Sequence, residues 1–380
     1  MKESAVFREI SNPYIAGGAL SKNTHLFFGR EDAYQFINSN IITQDGQHRT
    51  IVCHGLRRSG KSSLLYRIEE RGFADKRLIP VYVDMQGIDD EKDFYHTLSD
   101  KITEKLNGSE IRCRDFGEFK GFVKHLKADL PDKIIVLLMD EFEELQLRVE
   151  DKKISKSVFS NIRHLMQHEN KLIFVFCGTH KLEEMAADYW SIFFNTATYL
   201  KISYLKPEET VKLITEPVKG QLSYDELAVG HIQKLTFGQP YLTQLICHTI
   251  VNDLNDRKKR NYAAIDDVDD AAEKIISEGK DKFSEQIWNQ ATTWERLILS
   301  AAAEEMTNKQ LDVIGVESLY SKIETAIGKF PRKEYMDTLN SLVSKDILAV
   351  KEVRYSFPVN LLRKWIADRH PLAKVRAEIA

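Results

Sequence analysis

The stretch Gly55–Ser62 reads G-x-x-x-x-G-K-S, the residue types and spacing of a phosphate-binding loop. Glycine tolerates backbone geometry that side chains block, so Gly55 and Gly60 allow the loop N–H groups to turn towards phosphate oxygens. We expect Lys61 to reach the β- and γ-phosphates of a nucleotide and the Ser62 hydroxyl to ligate Mg²⁺. The nucleotide-binding residues predicted from this loop and its flank are Gly55, Arg58, Ser59, Gly60, Lys61, Ser62 and Ser63.

A second set of reactive side chains follows the apolar run Ile134–Met139, which ends in Asp140 and Glu141. A carboxylate at the end of a strand beside a P-loop can bind Mg²⁺, directly or through water, so Asp140 joins Ser62 as a predicted metal ligand. Glu141 is the expected general base, because it can polarise a water for attack on the γ-phosphate. The predicted catalytic residues are therefore Glu141, Lys61 and Asp140. The alternative interpretation of the acid pair is a helix N-cap.

Further candidates are less specific. Thr179 follows the apolar run 171–178 and could contact the γ-phosphate as a sensor, or it could only cap the end of that strand. Arg57 and Arg58 could contact phosphate, a neighbouring subunit or solvent. Arg163 could act as an arginine finger in an oligomer, although a helix-surface arginine is the favoured interpretation.

The elements around these residues predict an α/β fold. The loop lies between an apolar strand at 50–53 and a helix beginning at 63, and further apolar strands are predicted at 78–84, 133–140, 171–179 and 199–202. Strands that are apolar on both faces and alternate with helices indicate a parallel sheet covered on both sides. We therefore predict a P-loop NTPase domain over residues 1–205.

Two smaller domains are predicted after this one. Residues 206–284 show only helical periodicity, so a helical lid is expected there. No strand signal returns in the sequence until Asp346. Residues 285–380 contain three predicted helices and two short strands joined by a tight turn, an order typical of a winged helix. The charge run Asp256–Arg260 is interpreted as a solvated loop.

Bulk properties exclude several classes of protein. The chain has 380 residues and a net charge of -3, so there is no global electrostatic case for nucleic-acid binding. Four widely separated cysteines argue against a disulfide framework or zinc site. The N-terminus lacks the apolar core of a signal peptide, and no apolar run is long enough to span a bilayer. A cytoplasmic protein is expected.

Several motifs together resemble a known family. The combination resembles the STAND-type ATPases, relatives of the AAA+ and origin-recognition ATPases, over about residues 11–370. The motifs that carry the resemblance are Asn12-Pro-Tyr14, Phe28-Gly-Arg-Glu31, the P-loop, Met139-Asp-Glu-Phe142 and Phe237-Gly-Gln-Pro-Tyr241.

The resemblance implies further roles for particular residues. Tyr14 belongs to the first motif, and the segment containing Arg30 would lie near the adenine and ribose. Pro240 in the lid would touch the nucleotide from the other side, and Pro217 would face the base. The resemblance also implies a clamp over ADP, which opens when ATP replaces ADP and then permits homo-oligomerisation. Typical members carry a sensor or effector domain that this sequence does not show, so an effector is expected as a separate protein partner, unless the core acts alone.

Three functions remain open at this point: a slow, ATP-controlled switch, a DNA-acting ATPase of the origin-recognition or transposition-helper type, and a nucleotide-bound scaffold. Acids and bases nearly cancel over the predicted recognition helix 331–346, and the predicted wing 351–354 is only slightly basic. This charge pattern favours the switch over the DNA-acting ATPase. The preference for ATP over GTP rests on the resemblance alone.

Overall fold

The computed structural model describes residues 7–17, 20, 24–43, 46–108, 110–179 and 197–379. Within them, the N-terminal part is built on a five-stranded parallel sheet with the strand order β2-β3-β4-β1-β5. Its strands are β1 (Ile51–His54), β2 (Leu78–Asp84), β3 (Ile134–Asp140), β4 (Leu172–Gly178) and β5 (Thr198–Lys201). The predicted α/β fold with a parallel sheet is confirmed.

Helices cover both faces of this sheet. Alternate residues along the strands point into two separate apolar clusters, one on each face. This arrangement explains why the central strands are apolar throughout. The proline of β2, Pro80, is tolerated because β2 is an edge strand. One face packs on α1 (Glu31–Asn40) and α2 (Lys61–Arg71), and the other on α3 (Glu91–Lys105), α4 (Phe116–Asp129), α5 (Glu143–Glu150) and α6 (Ser157–His168).

The middle part of the chain is mainly helical, as predicted. Its helices are α7 (Pro207–Thr215), α8 (Glu226–Thr236), α9 (Pro240–Asp253) and α10 (Ile265–Ser277). The expectation that strands are absent here was wrong, because β6 (Ser223–Tyr224) and β7 (Tyr262–Ala263) form a two-stranded parallel sheet. Elements of two residues are too short to produce a periodic sequence signal.

The charge run at 256–260 is also more ordered than predicted. Residues Leu254–Lys258 form a π-helical turn that continues α9. The Lys258 ammonium pairs with Asp267 at 2.6 Å, and the Arg260 guanidinium pairs with the same carboxylate at 2.8 Å. The run therefore contacts the first turn of α10 instead of forming a freely solvated loop.

The C-terminal part has the element order predicted for a winged helix. It contains α11 (Lys282–Gln290), α12 (Thr293–Asn308), β8 (Ile314–Gly315), α13 (Val316–Ile327), α14 (Arg332–Ser344), β9 (Ala349–Lys351), β10 (Arg354–Ser356), α15 (Asn360–Arg369) and α16 (Leu372–Ile379). The three strands form an antiparallel sheet in the order β8-β10-β9. The sequence analysis missed the helices α11 and α16 and the two-residue strand β8.

One apolar cluster joins the helical middle part to the C-terminal part. It extends along the chain from Ile214 to Val375 without a break near residue 285. Ile10 and Tyr14 belong to the same cluster, so the N-terminal segment packs on the helical part and not on the sheet. The division 1–205, 206–284 and 285–380 therefore remains a functional proposal, while the packing distinguishes two sheet-associated clusters and one shared helical core.

The C-terminal part also touches the segment that follows β5. Asp346, just after α14, accepts hydrogen bonds from Lys201 Nζ at 2.7 Å and from Ser203 Oγ at 3.2 Å. The Tyr204 hydroxyl donates to the Asp346 carbonyl at 2.7 Å. These bonds connect the end of α14 to the edge of the parallel sheet.

Candidate functional site

A cavity of about 410 Å³ lies between the parallel sheet and the helical part. It opens where β1 and β3 end, which is the usual position of a ligand in an open α/β sheet. Its walls combine three regions of sequence: the N-terminal segment, the P-loop part and the helix α9 with its neighbours. Predicted site residues that line it are Arg30, Arg58, Ser59, Gly60, Lys61, Ser62, Ser63, Asp140, Glu141 and Pro240.

The P-loop forms one end of this cavity, between β1 and α2. Gly60 has φ 91°, a left-handed conformation that glycine adopts without strain. At Gly55, a Cβ atom would lie 2.1 Å from the Ile202 carbonyl oxygen, so only glycine fits beside the segment after β5. Both glycines of the motif are thus explained by the backbone path.

Lys61 lies within this loop with only 5 % of its surface exposed. Its Nζ donates to the carbonyl oxygens of Gly55 at 3.0 Å and Leu56 at 2.9 Å. The Lys61 ammonium thus lies beside the loop N–H groups at the start of α2. This combination of a positive charge and N–H donors stabilises bound phosphate.

Three buried polar atoms in the cavity wall fit the phosphates and the attacking water of a nucleotide. Arg57 Nε, Ser59 Oγ and Glu141 Oε2 have no hydrogen-bond partner among the described residues. All three side chains line the cavity. Since buried polar atoms are normally paired, their arrangement fits a polyanionic ligand with its bound water.

The predicted metal ligands are adjacent. Asp140 is 2 % exposed, and its Oδ2 accepts a hydrogen bond from the Tyr82 hydroxyl at 3.0 Å. Burial raises the pKa of Asp140 above its ordinary value, although hydrogen bonds from Ser62 and Tyr82 act in the opposite direction. Asp140 and Ser62 thus offer a carboxylate oxygen and a hydroxyl oxygen on the cavity wall. Mg²⁺ prefers oxygen ligands of this kind.

Glu141 is strained and poorly solvated. Its φ is 50°, which is uncommon for a residue with a side chain. Burial, and secondarily the nearby charge of Glu143, raise the pKa of Glu141 to about 7, while Lys61 lowers it. A carboxylate oxygen without a partner on the cavity wall is suited to accept a proton from water.

Thr179 is placed differently from the predicted sensor. Its backbone N and its Oγ1 donate to Glu143 Oε1 at 3.0 and 2.7 Å, and it does not line the cavity. A hydroxyl has one proton, so this contact commits it to Glu143 in the observed conformation. The contact resembles the strand-end capping alternative, and the sensor role stays a prediction.

Arg30 donates hydrogen bonds to the P-loop and to the segment after β5. Its φ is 65°, and its Nη2 donates to the carbonyl oxygens of Ser59 at 2.7 Å and Ser203 at 2.5 Å. Burial lowers the pKa of its guanidinium, while Glu209 and Asp32 raise it. Arg30 therefore links the loop to the segment after β5, and it lines the cavity where the nucleotide was expected.

Arg58 connects the P-loop to the opposite wall. Its Nη1 donates to the Gly17 carbonyl at 2.7 Å, and its Nε donates to Gln286 Oε1 at 3.3 Å. The guanidinium lies 4.4 Å from the ring centre of Tyr241, a cation–π distance. Its own carbonyl accepts from Gln239 Nε2 at 2.9 Å. One loop residue thus contacts the N-terminal segment, α9 and α11.

Besides Thr179, three residues predicted to bind the nucleotide do not line the cavity: Gly55, Pro217 and Tyr14. Pro217 is half-buried in the short turn Glu216–Val218, and Tyr14 is buried with its hydroxyl bonded to the Ile214 carbonyl. Pro240 does line the cavity, and its Cγ lies 4.0 Å from the position of a Cβ on Gly60.

Sequence reasoning missed several cavity residues, namely Tyr66, Tyr82, Gln86, Gln244 and Gln286. Tyr82 lies on the strand that pairs with β3 through the register Tyr82–Leu138. Gln244 follows Pro240 by one helical turn, which places both on one face of α9. That spacing was the available signal, whereas nothing local pointed to Gln286.

Comparison with a family model supports the nucleotide-binding assignment. Residues 44–186 match the model of an AAA domain. This match contains the P-loop and the acid pair of β3. Together with the fold, it supports a P-loop ATPase of the AAA+ type.

Several solved structures share this fold. The ORC2 protein of Aeropyrum pernix, in its ADPNP–ADP complexes, has a TM-score of 0.61 and 14% identity, covering 99% of this chain and 98% of that chain. Its ADP form has a TM-score of 0.53 and 13% identity, covering 96% and 97%. A Walker-type ATPase of Pyrococcus abyssi has a TM-score of 0.61 and 13% identity, covering 90% and 96%. At such identities the likeness concerns the fold.

No curated protein matched the chain. Within the described residues, no helix combines the length and apolarity needed to cross a membrane. The first six residues, on which the expected lack of a signal peptide partly depends, lie outside the described part of the chain.

Proposed function

We propose that this chain is a Mg²⁺-dependent ATPase that works as a nucleotide-controlled switch of the STAND type. The observation that carries the proposal is the set of contacts made by Arg58. This residue lies in the phosphate loop and contacts the N-terminal segment, α9 and α11 at once. A change in the phosphates beside Arg58 would therefore directly alter the contacts of Arg58 with the helical part.

The chemistry follows from the cavity residues. Lys61 binds the β- and γ-phosphates, and Ser62 and Asp140 are the ligands of Mg²⁺, which supplies charge neutralisation when bound. Glu141 accepts the proton of the attacking water. We expect slow turnover, because the described cavity wall has no donor from Thr179 to the γ-phosphate region.

The switch depends on differential contacts. A ligand shifts a conformational equilibrium only by the difference between its affinities for the two states. Here ADP and ATP differ in the γ-phosphate, whose expected position is beside Glu141 and Arg57 on the P-loop side. The helical wall and the docked C-terminal part are the elements that would move, and an exposed oligomerisation surface or a protein effector site is the proposed readout.

The DNA-acting alternative has weaker support from the surface. Arg332, at the start of α14, pairs with Glu317, and Lys345 pairs with Glu295 at 2.7 Å. The turn between β9 and β10 presents Val353, which is 71 % exposed. A DNA-gripping wing is expected to offer free cations there.

The test is the solution mass of the Glu141→Gln protein, measured by light scattering with ADP or with ATP and Mg²⁺, each with and without duplex DNA. The variant should bind ATP and fail to hydrolyse it, because an amide cannot accept the proton. We expect a larger assembly with ATP alone and a monomer with ADP.

The matched control is Glu144→Gln, an acid on α5 that does not line the cavity. It should hydrolyse ATP like the unmodified protein. Assembly only when DNA is present would replace the switch by the DNA-acting ATPase. A monomer in every condition would overturn switching by assembly and leave a nucleotide-bound scaffold.

A further inference from the structure

Gln244 is a buried glutamine in the wall of the nucleotide cavity. Only 5 % of its surface is exposed, and it lies on α9 one turn after Pro240. A buried amide needs partners for both its oxygen and its nitrogen, because an unpaired polar group loses its solvation without compensation.

The oxygen of this amide has a partner. Gln244 Oε1 accepts a hydrogen bond from the backbone N of Ile15 at 3.2 Å. This contact decides which end of the amide points to Ile15, since only the oxygen can accept. In the described part of the chain, no residue accepts a hydrogen bond from Nε2. The NH₂ group is therefore a donor available to a ligand in the cavity.

The position of this donor corresponds to the base end of a nucleotide. Pro240 lies against Gly60 of the phosphate loop, and four residues of helix advance by about 6 Å along the axis. Gln244 is thus displaced from the phosphates towards the N-terminal segment. Apolar side chains that line the same cavity, Ile15, Leu26, Leu205 and Leu213, suit the faces of a planar ring.

We propose that Gln244 reads the base by donating from Nε2 to the unprotonated N1 of adenine. Guanine carries a hydrogen on N1, so a fixed donor at this point would face another donor and leave both unpaired. The inference rests on the proposed nucleotide binding and deepens it, because it assigns the choice of ATP over GTP to a residue of this chain.

The experiment compares the dissociation constants of ATP, GTP, ITP and 1-deaza-ATP for the unmodified protein and for Gln244→Glu. A carboxylate still accepts from Ile15 N–H but offers no donor. We expect ATP affinity to fall roughly tenfold or more and the ATP-to-GTP preference to disappear or reverse. ITP, which has N1–H without the 2-amino group of GTP, should behave like GTP.

The unmodified protein should bind 1-deaza-ATP roughly tenfold more weakly than ATP, because carbon replaces the accepting nitrogen. In Gln244→Glu the advantage of ATP over 1-deaza-ATP should be lost, because no donor faces N1. Gln244→Met, which is similar in length and uncharged, covers the case in which the buried carboxylate prevents folding. It should lose ATP affinity without gaining affinity for GTP.

Gln221→Glu is the matched control. Gln221 Oε1 accepts from the backbone N of Ser11 at 2.9 Å, so it tethers the same N-terminal segment outside the cavity. Its substitution should leave base preference unchanged. An equal loss of ATP and GTP affinity in Gln244→Glu would mean that Gln244 only anchors Ile15, and equal binding of ATP and 1-deaza-ATP to the unmodified protein would also overturn the inference.

Failure of this inference is distinguishable from failure of the proposed function. If the inference alone fails, the protein still binds ATP in a manner that requires Lys61, and only the base preference ignores Gln244. If the proposed function fails, no nucleotide binds to the unmodified protein, or binding is unchanged in Lys61→Ala. That outcome would overturn both.

Discussion

Three residues of the cavity wall adopt backbone conformations that side chains normally avoid. Arg30, Arg58 and Glu141 have φ values of 65°, 61° and 50°. Such conformations are unfavourable by roughly 1–3 kcal/mol each and persist where surrounding contacts require them. Here the contacts are those of Arg30 with the Ser59 carbonyl of the P-loop and of Arg58 with α9 and α11. The three strained residues thus come from three separate segments of the chain that meet at the cavity wall.

Tyr82 provides a prediction at this scale. Its hydroxyl donates to Asp140 Oδ2, so it orients a proposed metal ligand without being one. Residues that orient metal ligands typically contribute about 10–100-fold to metal affinity. We expect Tyr82→Phe to raise the Mg²⁺ concentration for half-maximal ATP turnover about tenfold, with little change at saturating Mg²⁺. A Mg²⁺ titration of the initial rate measures this effect.

The control for Tyr82 is Tyr34→Phe. The Tyr34 hydroxyl donates to the Gly72 carbonyl at 2.6 Å, and Tyr34 lies on α1 outside the nucleotide cavity. Its Mg²⁺ dependence should match that of the unmodified protein. If Tyr82→Phe also gave an unchanged Mg²⁺ titration, its hydroxyl would have no role in orienting Asp140.

At the scale of elements, the end of α14 contacts the sheet edge through Asp346. The carboxylate bonds to Lys201 and Ser203, and the carbonyl bonds to Tyr204. Ser203 and Tyr204 also accept from Arg30, which reaches the P-loop. The side chain of Arg30 therefore connects the segment that contacts the C-terminal part to the phosphate loop.

We expect Asp346→Gly to release the docked C-terminal part. Glycine keeps the backbone conformation, φ 57°, but removes the two carboxylate contacts. Loss of partly exposed hydrogen bonds of this kind corresponds to roughly a fivefold faster dissociation of ADP. Stopped-flow release of a fluorescent ADP analogue measures the rate, and hydrogen exchange of residues 201–204 reports the undocking.

Asp346→Asn keeps an oxygen acceptor and tolerates the same φ, so it should dissociate ADP at a rate between those of the glycine variant and the unmodified protein. Unchanged ADP release and unchanged exchange in Asp346→Gly would show that the docking does not restrain the nucleotide. The same result would remove the C-terminal part from the proposed switch.

At the scale of the whole molecule, the nucleotide cavity lies between separate cores. Two apolar clusters cover the sheet, and a third joins the helical middle, the C-terminal part and the N-terminal residues Ile10 and Tyr14. A ligand bound between these cores contacts both sides of their junction. Nucleotide binding should therefore stabilise the whole fold and not only the sheet.

This expectation can be tested by thermal unfolding with and without ADP and Mg²⁺. A ligand at 100 times its dissociation constant adds about 2.7 kcal/mol to the free energy of unfolding. For a chain of 380 residues that unfolds as one unit, this corresponds to a rise in Tm of roughly 3–4 °C. The rise should vanish in Lys61→Ala, which removes the phosphate-binding ammonium. A rise that persists in Lys61→Ala would place ADP somewhere other than this cavity.

Elements whose information lies in a short run of residues were predictable from the sequence. The P-loop, the acid pair at 140–141 and the apolar strands each occupy a short run, and the structure places them at one edge of the predicted sheet. Spacing within a run follows directly from the geometry of strand and helix. The hairpin of the C-terminal part and the helices α12, α13, α14 and α15 were predictable for the same reason, whereas α11 and α16 were not predicted.

Tertiary structure alone decided the contacts between distant runs. Ile15 meets Gln244 across 229 positions, and Lys201 meets Asp346 across 145. Thr179 is bonded to Glu143, and the charge run at 256–260 pairs with α10, neither of which was predicted. Such pairs depend on how helices and strands pack against each other, and that packing is set by the sum of many buried contacts. Residue type and spacing therefore predicted the phosphate loop and its neighbouring acids, while packing decided which other side chains line the cavity.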